Sequence, residues 1–148
     1  MRLHFGSDHA GVQYRKQLVT TAISWDYVLA SESGPQQEQD KTDYPDIAEL
    51  VCKRVLADPG SLGVLICGTG QGMAMAANKI AGIRAAIVAD VYSATTAREH
   101  NDANVLCLGE RVLGIEVAKV LLQTFIHASF TAGRHVQRVE KLNRLRSS

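Results

Sequence analysis

The sequence has no excess of charge of one sign, few cysteines and no long apolar run. Lys and Arg number 16 against 15 Asp and Glu, a net charge of +1 at pH 7. That leaves no broad basic field for duplex DNA, so nucleic-acid binding is not expected. The three cysteines are odd in number and form no CxxC pair, a pattern that fits neither a disulfide framework nor a zinc site. The longest apolar runs are strand-sized, such as Leu62–Ile66, far short of the ~20 residues that span a bilayer. Met1–Gly6 lacks the apolar core and cleavage site of a signal peptide, and a cytoplasmic location is the expectation. Repeats, low-complexity tracts and linkers are also missing. What is present, 46% apolar and 21% charged residues over 148 positions, is the balance of a soluble globular protein. We read residues 1–148 as one domain that needs no metal or disulfide to fold.

Apolar patterning alternates between strand-like runs and helical spacing. Strands are predicted at Arg2–Phe5, Tyr27–Ala30, Leu62–Ile66, Arg84–Val88 and Asn104–Leu108. Helices are predicted at Val12–Ile23, from Pro45 to Leu56, from the Gly72 region to Ile80, and at Tyr92–His100, Ile115–Ala128 and His135–Arg146. In the first helix Leu18, Ala22 and Ile23 share a face while Arg15, Lys16 and Gln17 read as solvated. Ser31–Asp43 is polar and aperiodic, and reads as a surface loop long enough to do more than connect. The alternation predicts an α/β fold: a single three-layer domain, a five-stranded parallel sheet with helices on both faces and a C-terminal helix.

In such sheets ligands bind beyond the carboxyl ends of the strands. Those ends carry Asp8-His9, Cys67-Gly68-Thr69-Gly70-Gln71-Gly72, Asp90 and Gly109-Glu110-Arg111. Three alternating glycines let a backbone turn successive N–H groups toward one point at a helix start, a setting that favours negative charge. The loop is not a Walker loop, because Met and Ala follow Gly72, and its third glycine falls one residue early for a dinucleotide fingerprint. Cys52 and Cys107 sit inside apolar patterns and read as core. Cys67 ends a strand beside backbone amides, which favours the thiolate. His9 and His100 lie in polar settings, whereas His4 and His127 read as structural or solvated. Arg134 and Arg138, four residues apart on one helix face, suit either solvation or capture of one phosphate. A phosphate- or nucleotide-binding module without chemistry is the rival to an enzyme at this point.

Taken together, Gly6-Ser7-Asp8-His9-Ala10-Gly11, Thr42-Asp43-Tyr44-Pro45, Ile66–Gly72, Ala76-Ala77-Asn78-Lys79, Glu99-His100-Asn101-Asp102-Ala103-Asn104-Val105 and Gly133-Arg134-His135-x-x-Arg138 resemble the B-type family of ribose-5-phosphate isomerases. That family also holds galactose-6-phosphate and allose-6-phosphate isomerases. The resemblance covers essentially the whole chain. It implies a Rossmann-like homodimer or tetramer without metal or cofactor, an intramolecular oxidoreductase interconverting ribose 5-phosphate and ribulose 5-phosphate in the pentose phosphate pathway. By that resemblance Cys67 is the base that moves a proton between C2 and C1, and His100 the acid/base that opens the furanose ring. Thr69 and the amides of Gly68, Gly70, Gln71 and Gly72 hold the enediolate oxygen. His9, Arg134 and Arg138 clamp the phosphate, Asp8 and Asn101 contact hydroxyls, and Asp43 and Tyr44 close over the sugar. The site is expected at the dimer interface, with His100, Asn101 and Arg111 from the partner subunit. Two departures bear on this. Members with serine at the Cys67 position use a glutamate in the next helix, and here that helix opens Met73-Ala74-Met75. The Ser31–Lys41 loop is unlike the short family loop and leaves five- and six-carbon sugars both open.

Overall fold

Buried apolar strands set the frame in this computed structural model, which describes residues 1–145. In chain order the elements are β1 (Arg2–Ser7), a short 3-10 turn (His9–Gly11), α1 (Val12–Ser24), β2 (Val28–Ser33), α2 (Tyr44–Ala57) and β3 (Leu62–Cys67). They continue with α3 (Gln71–Ala77), β4 (Ala85–Ile87), α4 (Val91–Glu99), β5 (Val105–Gly109), α5 (Ile115–His127) and α6 (His135–Arg144). The five strands are all parallel and lie in the order β2-β1-β3-β5-β4. This is the predicted α/β architecture.

Alternation along the central strands divides the core in two, as a sheet covered on both faces requires. Leu62, Val64 and Ile66 of β3 join Leu106 and Leu108 of β5 under α1, α4 and α5. Leu65, Cys67, Val105 and Cys107 face α2 and α3 instead. Gly6 belongs to the second face, where a Cβ would stand 2.6 Å from Val51 Cγ2; the missing side chain is what lets α2 lie against β1. Among the described residues no helix is long and apolar enough to cross a membrane.

Several boundaries differ from expectation. β2 runs on through Ser31-Glu32-Ser33, so the loop begins at Gly34. These polar residues serve an edge strand because each has a partner: Ser31 Oγ lies 2.8 Å from His4 Nδ1, Glu32 accepts from Arg15 Nε at 3.0 Å, and Ser33 Oγ accepts from Arg54 at 2.6 Å. Arg15 is not solvated; its side chain is wholly buried. It donates to Ser7 Oγ at 2.7 Å and to the Pro35 carbonyl at 2.6 Å, besides Glu32. Ile23, expected on the buried face of α1, is half exposed. β4 and α3 are shorter than predicted. The last helix ends at Arg144, and Arg146 lies outside the described residues.

Candidate active site

The sheet order places one group of polar residues at the carboxyl edge. Strand connections leave β1 in one direction and reach β3 on its other side, so the ends of these two neighbours form the switch point at which such sheets bind ligands. Beyond β1, the buried Asp8 accepts the Ala10 N–H at 2.9 Å and caps the 3-10 turn. His9 follows, its Nδ1 3.2 Å from both the N–H and the carbonyl oxygen of Thr42. According to its tautomer, Nδ1 accepts that N–H or donates to that carbonyl, so either form of the ring is held in one orientation.

Beyond β3, Cys67 Sγ accepts the N–H of Gly70 at 3.1 Å, and the N–H of Gln71 donates to Thr69 Oγ1 at 3.3 Å. Gly70 is left-handed at φ +81°, with Leu108 and Ile87 crowding the place of a Cβ. The first helical bond of α3 runs from Ala74 N–H to Gly70 O, so the amides of Gln71, Gly72 and Met73 precede the helical ladder. The loop is thus curled around the sulfur through the Gly70 amide. By contrast, burial pushes the Cys52 thiol up to about 12 and the Cys107 thiol well above its ordinary value. Those two are core, as expected.

The end of β5 is tied to the same loop. Glu110 N–H donates to Cys67 O and Arg111 N–H to Gly68 O, both at 2.9 Å, and the Arg111 side chain lies against Gly68. Arg111 therefore stands with the glycine loop of its own chain, which corrects its expected supply by a partner. Beside it opens a cavity of about 640 Å³ lined by His9, Ala10, Glu38, Gln39, Lys41, Glu110 and Arg111. Sequence reading singled out the loop carrying Glu38, Gln39 and Lys41 but not these residues. Glu110, at the end of β5, carries no role in the sequence reading. Its carboxylate accepts the Tyr14 N–H at 2.7 Å and so serves the start of α1; burial, helped by nearby Glu38, pushes its pKa up. Tyr44, at the start of α2, packs its ring over Gly72, where a Cβ would stand 2.8 Å from it.

The remaining candidates lie at the opposite end of the sheet. α4 returns from the carboxyl edge, and His100, which caps it, precedes Val105 at the amino end of β5. The ring of His100 stacks on that of His135 with centroids 4.3 Å apart and planes 12° from parallel. Thr131 joins this end too, donating its N–H and hydroxyl to the Glu99 carbonyl at 3.1 and 2.9 Å. Arg134 and Arg138 flank His135, and Asn101 lines a second cavity of about 780 Å³ with residues of β4 and α6. The expected grouping of Arg134 and Arg138 with His9 is therefore not made inside one chain. The five residues of β5 alone separate the two ends by roughly 17 Å.

A parallel α/β sheet with a thiol, a glycine turn and an arginine at its switch point has the form of a small-metabolite enzyme. The chain belongs to the Ribose/Galactose Isomerase family, whose profile matches residues 3–142. It is 43% identical over 140 residues to a protein of Mycoplasma pneumoniae named probable ribose-5-phosphate isomerase B, covering 95% of this chain and 91% of that one. Ribose-5-phosphate isomerase B of Escherichia coli is 40% identical over 141 residues, covering 95% and 93%. Ribose-5-phosphate isomerase B of Mycoplasma genitalium, solved with bound ribulose-5-phosphate, superposes with a TM-score of 0.91 at 36% identity, covering 97% and 94%.

Proposed function

We propose that the chain is an aldose–ketose isomerase interconverting ribose 5-phosphate and ribulose 5-phosphate, and that it works as a homodimer. The observation that carries the chemistry is the turn from Gly68 to Gly72 curled around Cys67 Sγ, with the Gly70 N–H 3.1 Å from the sulfur. The observation that carries the dimer is the separation of this half from His100, Asn101, Arg134 and Arg138. In a two-fold dimer the same pair of surfaces meets twice, so each carboxyl edge receives the amino-edge residues of the other copy and two complete sites form.

The steps follow from the residues. His100 gives a proton to the ring oxygen of the furanose and accepts the one on the C1 hydroxyl, which opens the sugar to its aldehyde. The Cys67 thiolate removes the proton at C2, and the electron pair moves through C1 onto the aldehyde oxygen. Amides of the glycine turn, with the Thr69 hydroxyl, stabilise that oxyanion. Cys67 then returns the proton to C1, the C2 hydroxyl becomes the carbonyl and its proton passes to the O1 oxyanion, leaving the ketose with no net change of protons. One base serves both carbons because it stays on one face of a planar intermediate. The phosphate, held by His9 with Arg134 and Arg138 of the other copy, supplies binding energy remote from the reacting carbons. Arg111 adds positive charge beside the same pocket.

A panel of ribose 5-phosphate, allose 6-phosphate and galactose 6-phosphate tests the assignment. The five-carbon aldose is expected to give the highest kcat/KM. Preference for either hexose phosphate would move the chain within its family, and turnover of none would remove the reading.

A further inference from the structure

Two buried imidazoles have no task in the proposed chemistry; His4 is held by Ser31 and Asp58 away from His100, whereas His135 lies against it. His135 opens α6 and is 8% exposed. Its ring lies face to face with that of His100, at 4.3 Å between centroids and 12° between planes. The chain takes a strained route to put it there. Ala132 and Gly133 are successive left-handed residues, at φ +55° and +57°, and the His135 N–H closes the turn on the Ala132 carbonyl at 3.1 Å. Alanine in that region costs energy that packing must offset. Thr131, just before the turn, is tied twice to the carbonyl of Glu99, the residue preceding His100. Turn, tie and stack all converge on one side chain.

We infer that His135 is a positioning residue for His100, its ring fixing the plane in which that imidazole meets a ligand. The inference rests on the isomerase reading above. His100 caps the C-terminus of α4, its N–H on the Thr96 carbonyl at 2.9 Å, and two side-chain torsions set the direction of its ring. A flat partner on its face removes their freedom and leaves both ring nitrogens at the edge unused. A carboxylate partner would occupy one of them. The charges around the pair are His100 at the end of α4 and Arg134 and Arg138 on α6; burial first, then these three, lower the His135 pKa.

The experiment compares His135→Ala and His135→Phe with the parent, all as the full chain in its native assembly. Conversion of the cyclic aldose phosphate is measured beside solvent-proton exchange at C1 of the open-chain ketose phosphate, which needs no ring opening. His135→Ala should lower kcat for the aldose about tenfold with KM changed less than about twofold. Proton exchange should be spared in that variant, and His135→Phe, which keeps a flat ring, should regain most of the lost conversion. In imidazole NMR spectra the His100 ring protons should move in the alanine variant and less in the phenylalanine one. If the alanine chain does not fold, His135→Gln replaces it with the same expectations. Unaltered aldose conversion, or equal loss of conversion and exchange in both variants, would overturn the inference. A parent chain that turns over no sugar phosphate would instead remove the isomerase reading, and the His100 resonance would still report whether the stack exists.

Discussion

Cys67 and His100 stand at opposite ends of one sheet: Cys67 pairs with Gly109, the last residue of β5, while His100 lies five residues before Val105, its first. The separation follows from chain direction. In a parallel sheet every helix returns from the carboxyl edge to the amino edge, so the end of α4 and the start of β3's loop cannot meet inside one chain. The acid/base and the base of the proposed reaction therefore require two copies.

The first prediction concerns the thiols. Cys52 and Cys107 are fully buried with their thiols pushed up, whereas Cys67 ends a strand within a turn of amides. An alkylating reagent near neutral pH should modify Cys67 first, and a sugar phosphate should slow it. Mass spectrometry of the labelled peptides checks this; labelling of Cys52 or Cys107 ahead of Cys67 would contradict it. Cys67→Ala should lower kcat by about 10²–10⁴-fold, because α3 offers no carboxylate to replace the base.

A second prediction uses Arg15. Its buried guanidinium joins Glu32, Ser7 and the Pro35 carbonyl, and the loop it anchors ends in Thr42, which orients His9. Arg15→Met leaves these acceptors unpaired and should cost about 3 kcal/mol of stability. KM for the sugar phosphate should rise more than kcat falls, as the hold on His9 loosens. Denaturant unfolding and steady-state kinetics read the two effects.

Arg15 also marks the limit of what the sequence made legible. The strand–helix alternation, the core strands β3 and β5 and the carboxyl-edge motifs were readable because each is local: a run of apolar residues, a capping residue, a glycine at a turn. Arg15 looked solvated because it sits among polar neighbours; its partners are 8 to 20 residues away, beyond any periodicity. The extension of β2 through Ser31-Glu32-Ser33 was hidden for the same reason, since its polar side chains are satisfied by His4, Arg15 and Arg54. Pattern put Arg111 at the carboxyl end of β5 but could not separate Arg134 and Arg138 from the His9 end. That required the strand order β2-β1-β3-β5-β4, which no local signal encodes.

The third prediction is about acid. Hydrogen bonds from Arg2, then His4, hold the Asp58 carboxyl down to about 2 from its ordinary 3.8. A depressed carboxylate stabilises the fold above the unfolded value, and the contribution disappears as pH falls through the folded one. Asp58→Asn should therefore lower the unfolding temperature at about pH 5 and match the parent only below about pH 2. The side-chain partners of Asp58 are Arg2 and His4, neither of which has a part in the proposed reaction, so turnover near neutral pH should be unchanged.

Mixing two dead variants tests the shared site most directly. Cys67→Ala and His100→Ala chains are each expected to be inactive as homodimers. In a mixed dimer one site inherits both lesions and the other neither, so subunit exchange between equal amounts should restore about one quarter of the parent activity. Recovery near that level supports a catalytic centre built from two copies. No recovery, with exchange of subunits verified by native mass spectrometry, would contradict it.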